Sequence, residues 1–344
     1  MINLGTNTAL PSVSIVIVTW NNGLLLEKCL EALRSQTYKD FEVLVIDNGS
    51  SDGSLEGIER RRPTFPLRIE RLGSNRGFAA ANNIGARLAR GEWLALVNAD
   101  AFPEPDWLER LLEATKKYPN AFFASQQIQV NHSGLLDGEG DVYHVSGLAW
   151  RRNYGFPIQE KQEVEEIFSP CGAAALYPRQ AFLDAGGFDE DYFSYQEDVD
   201  LGFRLRLRGL RCFYVPRAVV QHVGSATFGI NSDFAFYHSH RNLVWTFVKN
   251  MPGILFWRYL CAHLFLNLVY LVLYTIRRRG IVVWKAKLDA LRGLPKAVQK
   301  RKLIQKNRKA TSADILRIME RGWLQPYLLG YHSRYTLTKS KRDT

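Results

Sequence analysis

The stretch Leu94-Ala95-Leu96-Val97-Asn98-Ala99-Asp100-Ala101-Phe102-Pro103 sets what this chain can fold into. Four apolar residues run into a short polar cluster, and Pro103 and Pro105 stop a strand from continuing. A buried parallel strand reads this way when it delivers polar side chains to the carboxyl edge of a sheet, where open α/β folds bind ligands. Alternate side chains of an extended strand share a face, so Asn98 and Asp100 are expected to point together and Ala99 away. One carboxylate beside one amide suits a divalent cation that carries a diphosphate. The same residues also suit a plain strand-end turn, in which Asn and Asp bond only backbone groups.

The flanking sequence repeats the α/β pattern. Val13–Val18 is a β-branched run, Thr19-Trp20-Asn21-Asn22-Gly23 a turn, and Leu24–Gln36 has helical apolar spacing through Leu26, Leu30 and Leu33. Phe41–Ile46 reads as the second strand, closed by Asp47-Asn48-Gly49-Ser50-Ser51-Asp52-Gly53. Strand, helix and strand within about 35 residues make a βαβ unit and a parallel sheet. A third strand is expected near Leu67–Arg71, before Gly73-Ser74-Asn75-Arg76-Gly77-Phe78. Ala79–Ala89 is a small-residue helix able to pack very close to a neighbour, and Trp107–Tyr118 is an amphipathic one. Residues 131–168 lose all period, as a functional loop does. Ser169–Tyr177 returns as a strand, Val199–Arg208 as a helix, and Arg211–Val215 and Ala218–Val223 as extended segments. Asp198 then falls at the helix's first turn, where the dipole favours a carboxylate.

Hydrophobic residues make up 46% and charged ones 23% of the 344, the balance of a globular chain. Cys29, Cys171, Cys212 and Cys261 are scattered, with neither zinc spacing nor a disulfide framework, which favours a reducing compartment. No basic n-region precedes Val13–Val18, and that run is too short for a secretory h-region, so no export signal is expected there. The net charge of +11 is unevenly placed: residues 277–344 hold 19 Lys and Arg against 4 Asp and Glu, and residues 1–276 hold 26 against 30. A basic tail of +15 behind a body of −4 is expected to meet a polyanion.

Ile254–Ile276 is 23 residues of mostly large apolar side chains, interrupted by Arg258, His263 and Asn267 and followed by Arg277-Arg278-Arg279. Those interruptions are costly in a spanning helix. The crowd of aromatics (Phe256, Trp257, Tyr259, Phe265, Tyr270, Tyr274) favours a helix lying in a membrane interface. A buried packing helix, in a homodimer interface for example, is the competing reading. Lys and Arg spread among Leu and Val from Trp284 to Lys309 add attraction to anionic lipid. No nucleic-acid motif accompanies the charge, so nucleic acid is not expected as a partner.

Taken together, Val13-Ser-Ile-Val-Ile-Val-Thr-Trp-Asn21, Val45-Ile-Asp-Asn-Gly-Ser-Ser-Asp-Gly53, Asn98-Ala-Asp100 and Gln196-Glu-Asp-Val-Asp200 resemble a family-2 glycosyltransferase of the GT-A fold over residues 12–230. The phrasing of residues 73–78, Gly186-Gly-Phe-Asp189 and His222-Val-Gly-Ser225 is most similar to the rhamnosyltransferase-like branch that builds bacterial surface polysaccharide. The resemblance implies an α/β fold, a Rossmann-like, mostly parallel sheet flanked by helices, over residues 1–240. A helical, basic, membrane-associating extension would occupy 241–344. It implies an inverting enzyme that moves one sugar from a TDP- or UDP-linked donor to a glycan acceptor on a polyprenyl diphosphate. Such an enzyme works as a peripheral protein at the cytoplasmic face of the inner membrane. Two departures stand out: members often carry Asp-X-Asp where this chain has Asn98-Ala99-Asp100, and the Gln-X-X-Arg-Trp motif of processive polymerases is missing.

Residue by residue, the resemblance puts Thr19, Asn21, Asp47, Asn75 and Gly77 near the nucleotide and Asn98 at the ribose or ion. Asp100 becomes the ligand of a Mg or Mn ion with His222 as a further one, and Asp198 the general base beside Glu197. Each has a plainer reading: Asp47 and Asp198 as caps, His222 as a structural histidine, Asp200 and Arg204 as an (i, i+4) ion pair. A dinucleotide oxidoreductase would also place an acid at Asp47, but the first turn lacks the Gly-X-Gly-X-X-Gly that pyrophosphate approach needs. A non-catalytic nucleotide-sugar-binding scaffold is the remaining alternative, prompted by Asn98.

Overall fold

The computed structural model describes residues 10–53, 55–60, 64–132, 134–160, 162–224 and 232–325. The last charges of the basic tail, beyond 325, and Ser225 of the His-Val-Gly-Ser run lie outside them.

Mostly apolar, largely β-branched runs form the centre, with the buried Ser14 Oγ donating to Glu42 Oε1 at 2.7 Å between β1 and β2 as a polar exception. β1 (Val13–Thr19), α1 (Gly23–Arg34), β2 (Phe41–Asp47), α2 (Glu56–Arg60), β3 (Leu67–Arg71), α3 (Gly77–Leu88) and β4 (Trp93–Val97) wind a parallel sheet in the order β3-β2-β1-β4. All seven residues of β2 are buried, as a strand covered on both faces requires. Small residues let α3 lie close to the sheet: a Cβ on Gly85 would sit 2.4 Å from Val16 Cγ1.

The second half extends the sheet with antiparallel joints. β5 (Ala101–Pro103), α4 (Trp107–Lys117) and β6 (Ala121–Gln129) are followed by four three-residue strands, β7 (Leu136–Gly138), β8 (Asp141–Tyr143), β9 (Ala149–Arg151) and β10 (Glu165–Ile167). β11 (Ala174–Pro178), α5 (Arg179–Asp184), a 3-10 turn at Glu190–Tyr192, α6 (Glu197–Leu207) and β12 (Arg211–His222) complete it. The path runs β10-β12-β6-β11-β4-β1-β2-β3, with β5 on β12 and β7 on β6.

Four local expectations change. The strand does resume after Asp100, because Pro103 sits opposite Val220 where β5 pairs with β12, and the neighbouring Glu104 amide supplies a bond to Val219. The two extended segments 211–215 and 218–223 are one strand, with a register shift between Val215 and Val219 where Pro216 lacks an N–H. Of the segment 169–177, Ala174–Tyr177 joins the sheet as part of β11 and Ser169 makes an isolated bridge to Asp141, while Cys171–Ala173 forms a loop along the cleft. The segment 131–168 carries short strands that its irregular sequence hides.

α7 (Asp233–Asn250), α8 (Gly253–Ile276), α9 (Gly280–Arg292), α10 (Leu294–Lys306) and α11 (Ser312–Ile318) follow, and residue 240 falls inside α7. A third core cluster (Tyr143, Phe168, Val199, Phe203, Phe247, Met251, Leu255, Ile315) joins these helices to α6 and the 141–168 segment. α8 faces inward with Leu255, His263 and Leu266; His263 Nδ1 donates to the Ser146 carbonyl at 2.8 Å. Its outer face exposes Ile254, Trp257, Leu264, Phe265, Leu268, Val272 and Ile276, a continuous apolar stripe at helical spacing. α9 extends it with Ile281, Trp284, Leu288 and Leu291.

Candidate active site

The carboxyl ends of β1, β2 and β4 and the start of α6 surround a cleft of about 410 Å³. Asn75, Gly77, Asn98, Asp100, Glu197, Asp198 and His222 line it together. Thr19, Asn21 and Asp47 lie at the neighbouring strand ends but not among its lining residues. Thr19 and Asp47 are register partners across β1 and β2, and Asp47 Oδ1 accepts from the Ser50 amide at 2.9 Å. Asn21, at φ 52°, ties the two loops together: its Oδ1 accepts from Ser51 N, and its own amide donates to Ser50 Oγ, both at 2.9 Å.

Asn48, which sequence reasoning did not single out, organises the next wall. Its Nδ2 donates to Asn75 Oδ1 at 3.0 Å and its Oδ1 accepts from Arg76 N at 2.8 Å. Asn75 Oδ1 also takes the Gly77 amide at 2.9 Å, fixing the entry to α3. Gly77 holds φ 85°, and a Cβ there would meet Phe193 at 2.7 Å, so only glycine serves.

β4 ends at Val97, and Asn98–Asp100 forms a turn closed by Ala101 N to Asn98 O at 3.0 Å. Strand alternation therefore does not extend through it, and Ala99 lines the cleft along with its neighbours. β12 brings His222 beside Asp100, with Nε2 3.3 Å from Asp100 Oδ1 in ion-pair proximity but without hydrogen-bond geometry. Behind it, Asp137 Oδ2 accepts from Nδ1 at 2.7 Å, and Arg151 pairs with the same carboxylate. Burial pushes the Asp137 carboxyl up, but Arg151 and His222 outweigh it and hold it below the ordinary range. Burial likewise opposes the His222 cation, yet Asp100 and Asp137 raise it to about 9.

Among the described residues no cluster of three or more His, Cys, Asp or Glu forms a metal centre. Asp100 and the His222 Nε2 nonetheless fit a hard divalent ion. Such ions are held by one or two protein ligands plus phosphates and water. The Asp137–His222 bond fixes the ring, as the outer contact of a ligating imidazole would.

Across the cleft, Asp198 sits in the first turn of α6 with Oδ2 accepting from Gly172 N at 2.9 Å and Oδ1 from Val199 N at 2.8 Å. Burial raises its carboxyl despite these bonds and the Arg151 charge. Burial and the neighbouring Asp198 charge push Glu197 well up, and Asp141, which also lines the cleft, is raised for the same two reasons. The Asp200–Arg204 pair is present, with Arg204 Nε donating to Asp200 Oδ2 at 2.9 Å.

This sheet and cleft define a protein of the GT-A class. Residues 1–349 of Staphylococcus aureus TarS, solved with UDP-GlcNAc, superpose with a TM-score of 0.57 at 18% identity, covering 93% of this chain and 92% of that one. The mannosyltransferase PcManGT of Pyrobaculum calidifontis, solved with GDP-Man and Mn2+, gives 0.53 at 18% identity over 90% and 88%. The chain belongs to glycosyltransferase family 2: residues 14–185 match the family described as Glycosyl transferase family 2. It is 32% identical over 231 residues to the N-acetylglucosaminyl-diphospho-decaprenol L-rhamnosyltransferase of Mycobacterium tuberculosis, covering 60% of this chain and 75% of that one.

Proposed function

We propose that the protein is an inverting, single-addition glycosyltransferase. It moves a sugar, rhamnose first among candidates, from a TDP- or UDP-linked donor to a polyprenyl-diphosphate-linked saccharide. The observation that carries this is Asp198, fixed by two backbone amides in the same cleft as Asn98, Asp100 and His222. Thr19, Asn21, Asp47, Asn75 and Gly77 border the nucleotide, and Asp100 faces its diphosphate. Asp198 accepts the proton of the acceptor hydroxyl as that oxygen bonds to the anomeric carbon. The bond to the diphosphate oxygen breaks with its electron pair leaving on the nucleoside diphosphate. One displacement inverts the centre. The raised carboxyl of Asp198 suits its role as base, and Glu197 beside it, raised further by burial and the Asp198 charge, is placed to hydrogen-bond the acceptor or the backbone. Asp100 and His222 would hold a Mg or Mn ion, which when bound would supply charge neutralisation for the departing diphosphate.

The mycobacterial relative's name supports the donor sugar and the lipid-linked acceptor. The exposed apolar stripe of α8 and α9, beside Arg258, Arg277, Arg278, Lys285 and Arg292, supports attachment to an anionic membrane from the cytoplasmic side. Its test is flotation with phosphatidylglycerol vesicles, against phosphatidylcholine vesicles and a Trp257→Ser/Leu268→Ser variant. Dimerisation without flotation would assign the stripe to a second copy of the chain.

The activity test is transfer from TDP-L-rhamnose to N-acetylglucosaminyl-diphospho-decaprenol, with and without Mn²⁺, by wild type and Asp198→Asn. The variant should keep nucleotide binding and lose turnover by about 10²–10⁴-fold. Full turnover by Asp198→Asn removes it as the base, and nucleotide binding without transfer or donor hydrolysis by wild type would favour the scaffold reading.

A further inference from the structure

Helix α7 turns a polar stripe toward the protein interior. Asn242, Thr246, Lys249 and Asn250, at i, i+4, i+7 and i+8, are all sealed from solvent. Polar groups persist in such a place when they are bonded. Their partners beyond α7 lie on one short piece of chain, from Asp189 at the start of the 3-10 turn to Asp200 in the first turn of α6. Asn242 Nδ2 is 3.1, 3.0 and 2.7 Å from the carbonyl oxygens of Tyr192, Ser194 and Tyr195. Carbonyls only accept, so the amide NH₂ must face them, and Arg241 Nε donates to Asn242 Oδ1 at 2.9 Å from the other side. Arg241 itself reaches the carbonyls of Asp191 and Tyr192, each at 2.9 Å.

The piece of chain so held is strained. Phe193, Tyr195 and Gln196 have φ of 63°, 67° and 68°, the left-handed region that side-chain-bearing residues avoid. They run straight into Glu197 and Asp198. Phe193 also accepts the Ala79 amide on its carbonyl at 3.2 Å, so the same segment braces the start of α3 across the cleft. Within the segment one short bond, Ser194 N to the Tyr192 carbonyl at 2.7 Å, closes the turn at Phe193; the Asn242 amide holds the carbonyls of Tyr192, Ser194 and Tyr195 from outside it.

We infer that Asn242 is a positioning residue for the transfer reaction: its amide holds residues 192–195 on the left-handed path that sets the Asp198 carboxylate in the cleft. The inference rests on the reading of Asp198 as base. Asn242 lies outside the cleft lining and acts through three backbone carbonyls. The first helix of the C-terminal region is then part of the catalytic machinery as well as a support for the apolar stripe.

The experiment compares Asn242→Ala, Asn242→Ser, Gln196→Gly and the Asn242→Ala/Gln196→Gly double variant, with TDP-L-rhamnose and N-acetylglucosaminyl-diphospho-decaprenol as substrates. Asn242→Ala should lower kcat about 10–100-fold, the scale of a small misplacement of a reacting group, with KM for the donor within about twofold. Asn242→Ser keeps one donor and should fall between; it carries the comparison if the alanine variant does not fold. Glycine enters the left-handed path unaided, so the loss caused by Asn242→Ala should be at least threefold smaller in the Gln196→Gly background. Amide exchange gives a readout without substrate: residues 193–198 should exchange faster in Asn242→Ala while β1 and β2 do not change. An unchanged kcat with only a lower melting temperature, a loss confined to KM, or losses that multiply independently would each overturn the inference. Asp198→Asn run alongside separates the two readings. Full turnover there overturns the base assignment, whereas an inactive Asp198→Asn with a fully active Asn242→Ala overturns the positioning role alone.

Discussion

Lys249 Nζ lies 2.8 Å from Asp200 Oδ1, and both side chains are sealed from solvent. Asp189 pairs with the same ammonium, Asn250 Nδ2 donates to Asp200 Oδ1 at 2.7 Å, and Arg204 holds the other oxygen. α7 is thereby joined to α6 by charge as well as by packing. Removing one partner strands the other, so Lys249→Met should lose about 3–5 kcal/mol at pH 7 by chemical denaturation. A loss below about 1 kcal/mol would mean that the site repacks or admits water.

The same cluster fixes the acid limb of stability. Burial alone would raise Asp189 and Asp200, but Lys249 outweighs it at both, with Lys300 at Asp189 and Arg204 at Asp200, and their carboxyls sit below the ordinary range. Folded carboxyls that hold their protons more weakly than the unfolded chain contribute stability above the unfolded value of about 3.9. That stability is lost as pH falls through the folded values. Wild type should therefore lose stability steadily below about pH 4, and Lys249→Met should show a shallower acid limb in melts from pH 2.5 to 6.

Asp137→Asn tests the support of His222. The amide keeps an acceptor for Nδ1 but removes the charge that fixes and polarises the ring, and it breaks the pair with Arg151. Outer carboxylates of this kind are worth about 10–100-fold in metal affinity. Mn²⁺-dependent thermal stabilisation by TDP should need about that much more metal, while stabilisation by TDP alone should not change. Equal losses with and without metal would make Asp137 a brace of the cleft wall only.

Much of the sheet was legible because buried parallel strands are written as short, mostly apolar and β-branched runs, as Phe41–Asp47 is apart from Glu42 and its terminal Asp47. Asn98, Asp100 and Asp198 were legible because each interrupts such a run or opens a helix. Asp137 and Arg151 were not, since three-residue strands β7 and β9 leave no period to detect. Asn242, Lys249 and Asn250 were missed for a different reason: polar residues on a helix ordinarily mark its solvent face, and α7 turns them inward. The spacing Asn242, Thr246, Lys249, Asn250 was the available signal.

The small-residue reading of α3 yields a packing prediction. A Cβ on Gly85 would lie 2.4 Å from Val16 Cγ1 and 3.2 Å from Ile46 Cγ1. Val16 is β-branched and locked in the sheet, so it yields little room. Gly85→Ala gains about 1 kcal/mol of helix propensity against about 1–3 kcal/mol of overpacking. The net should be a lower midpoint in urea, and Gly85→Val should fall further; a raised midpoint for alanine would show that α3 can shift off the sheet.

Lys287 gives the opposite pH sign to the acid cluster. It is buried on α9 with its Nζ 2.6 Å from the His240 carbonyl, and burial lowers its ammonium from 10.5 to about 7. Between those values the unfolded chain binds a proton that the folded chain does not, so this residue makes stability rise with pH from about 7 to about 10. Below pH 7 the buried ammonium is charged and its full desolvation penalty is present. Lys287→Met removes both the penalty and the slope, at the loss of one hydrogen bond. Melting temperatures of the two proteins should differ most at pH 6–7, with the variant higher, and converge toward pH 10. A difference that does not vary with pH would mean that Lys287 reaches water and stays charged throughout.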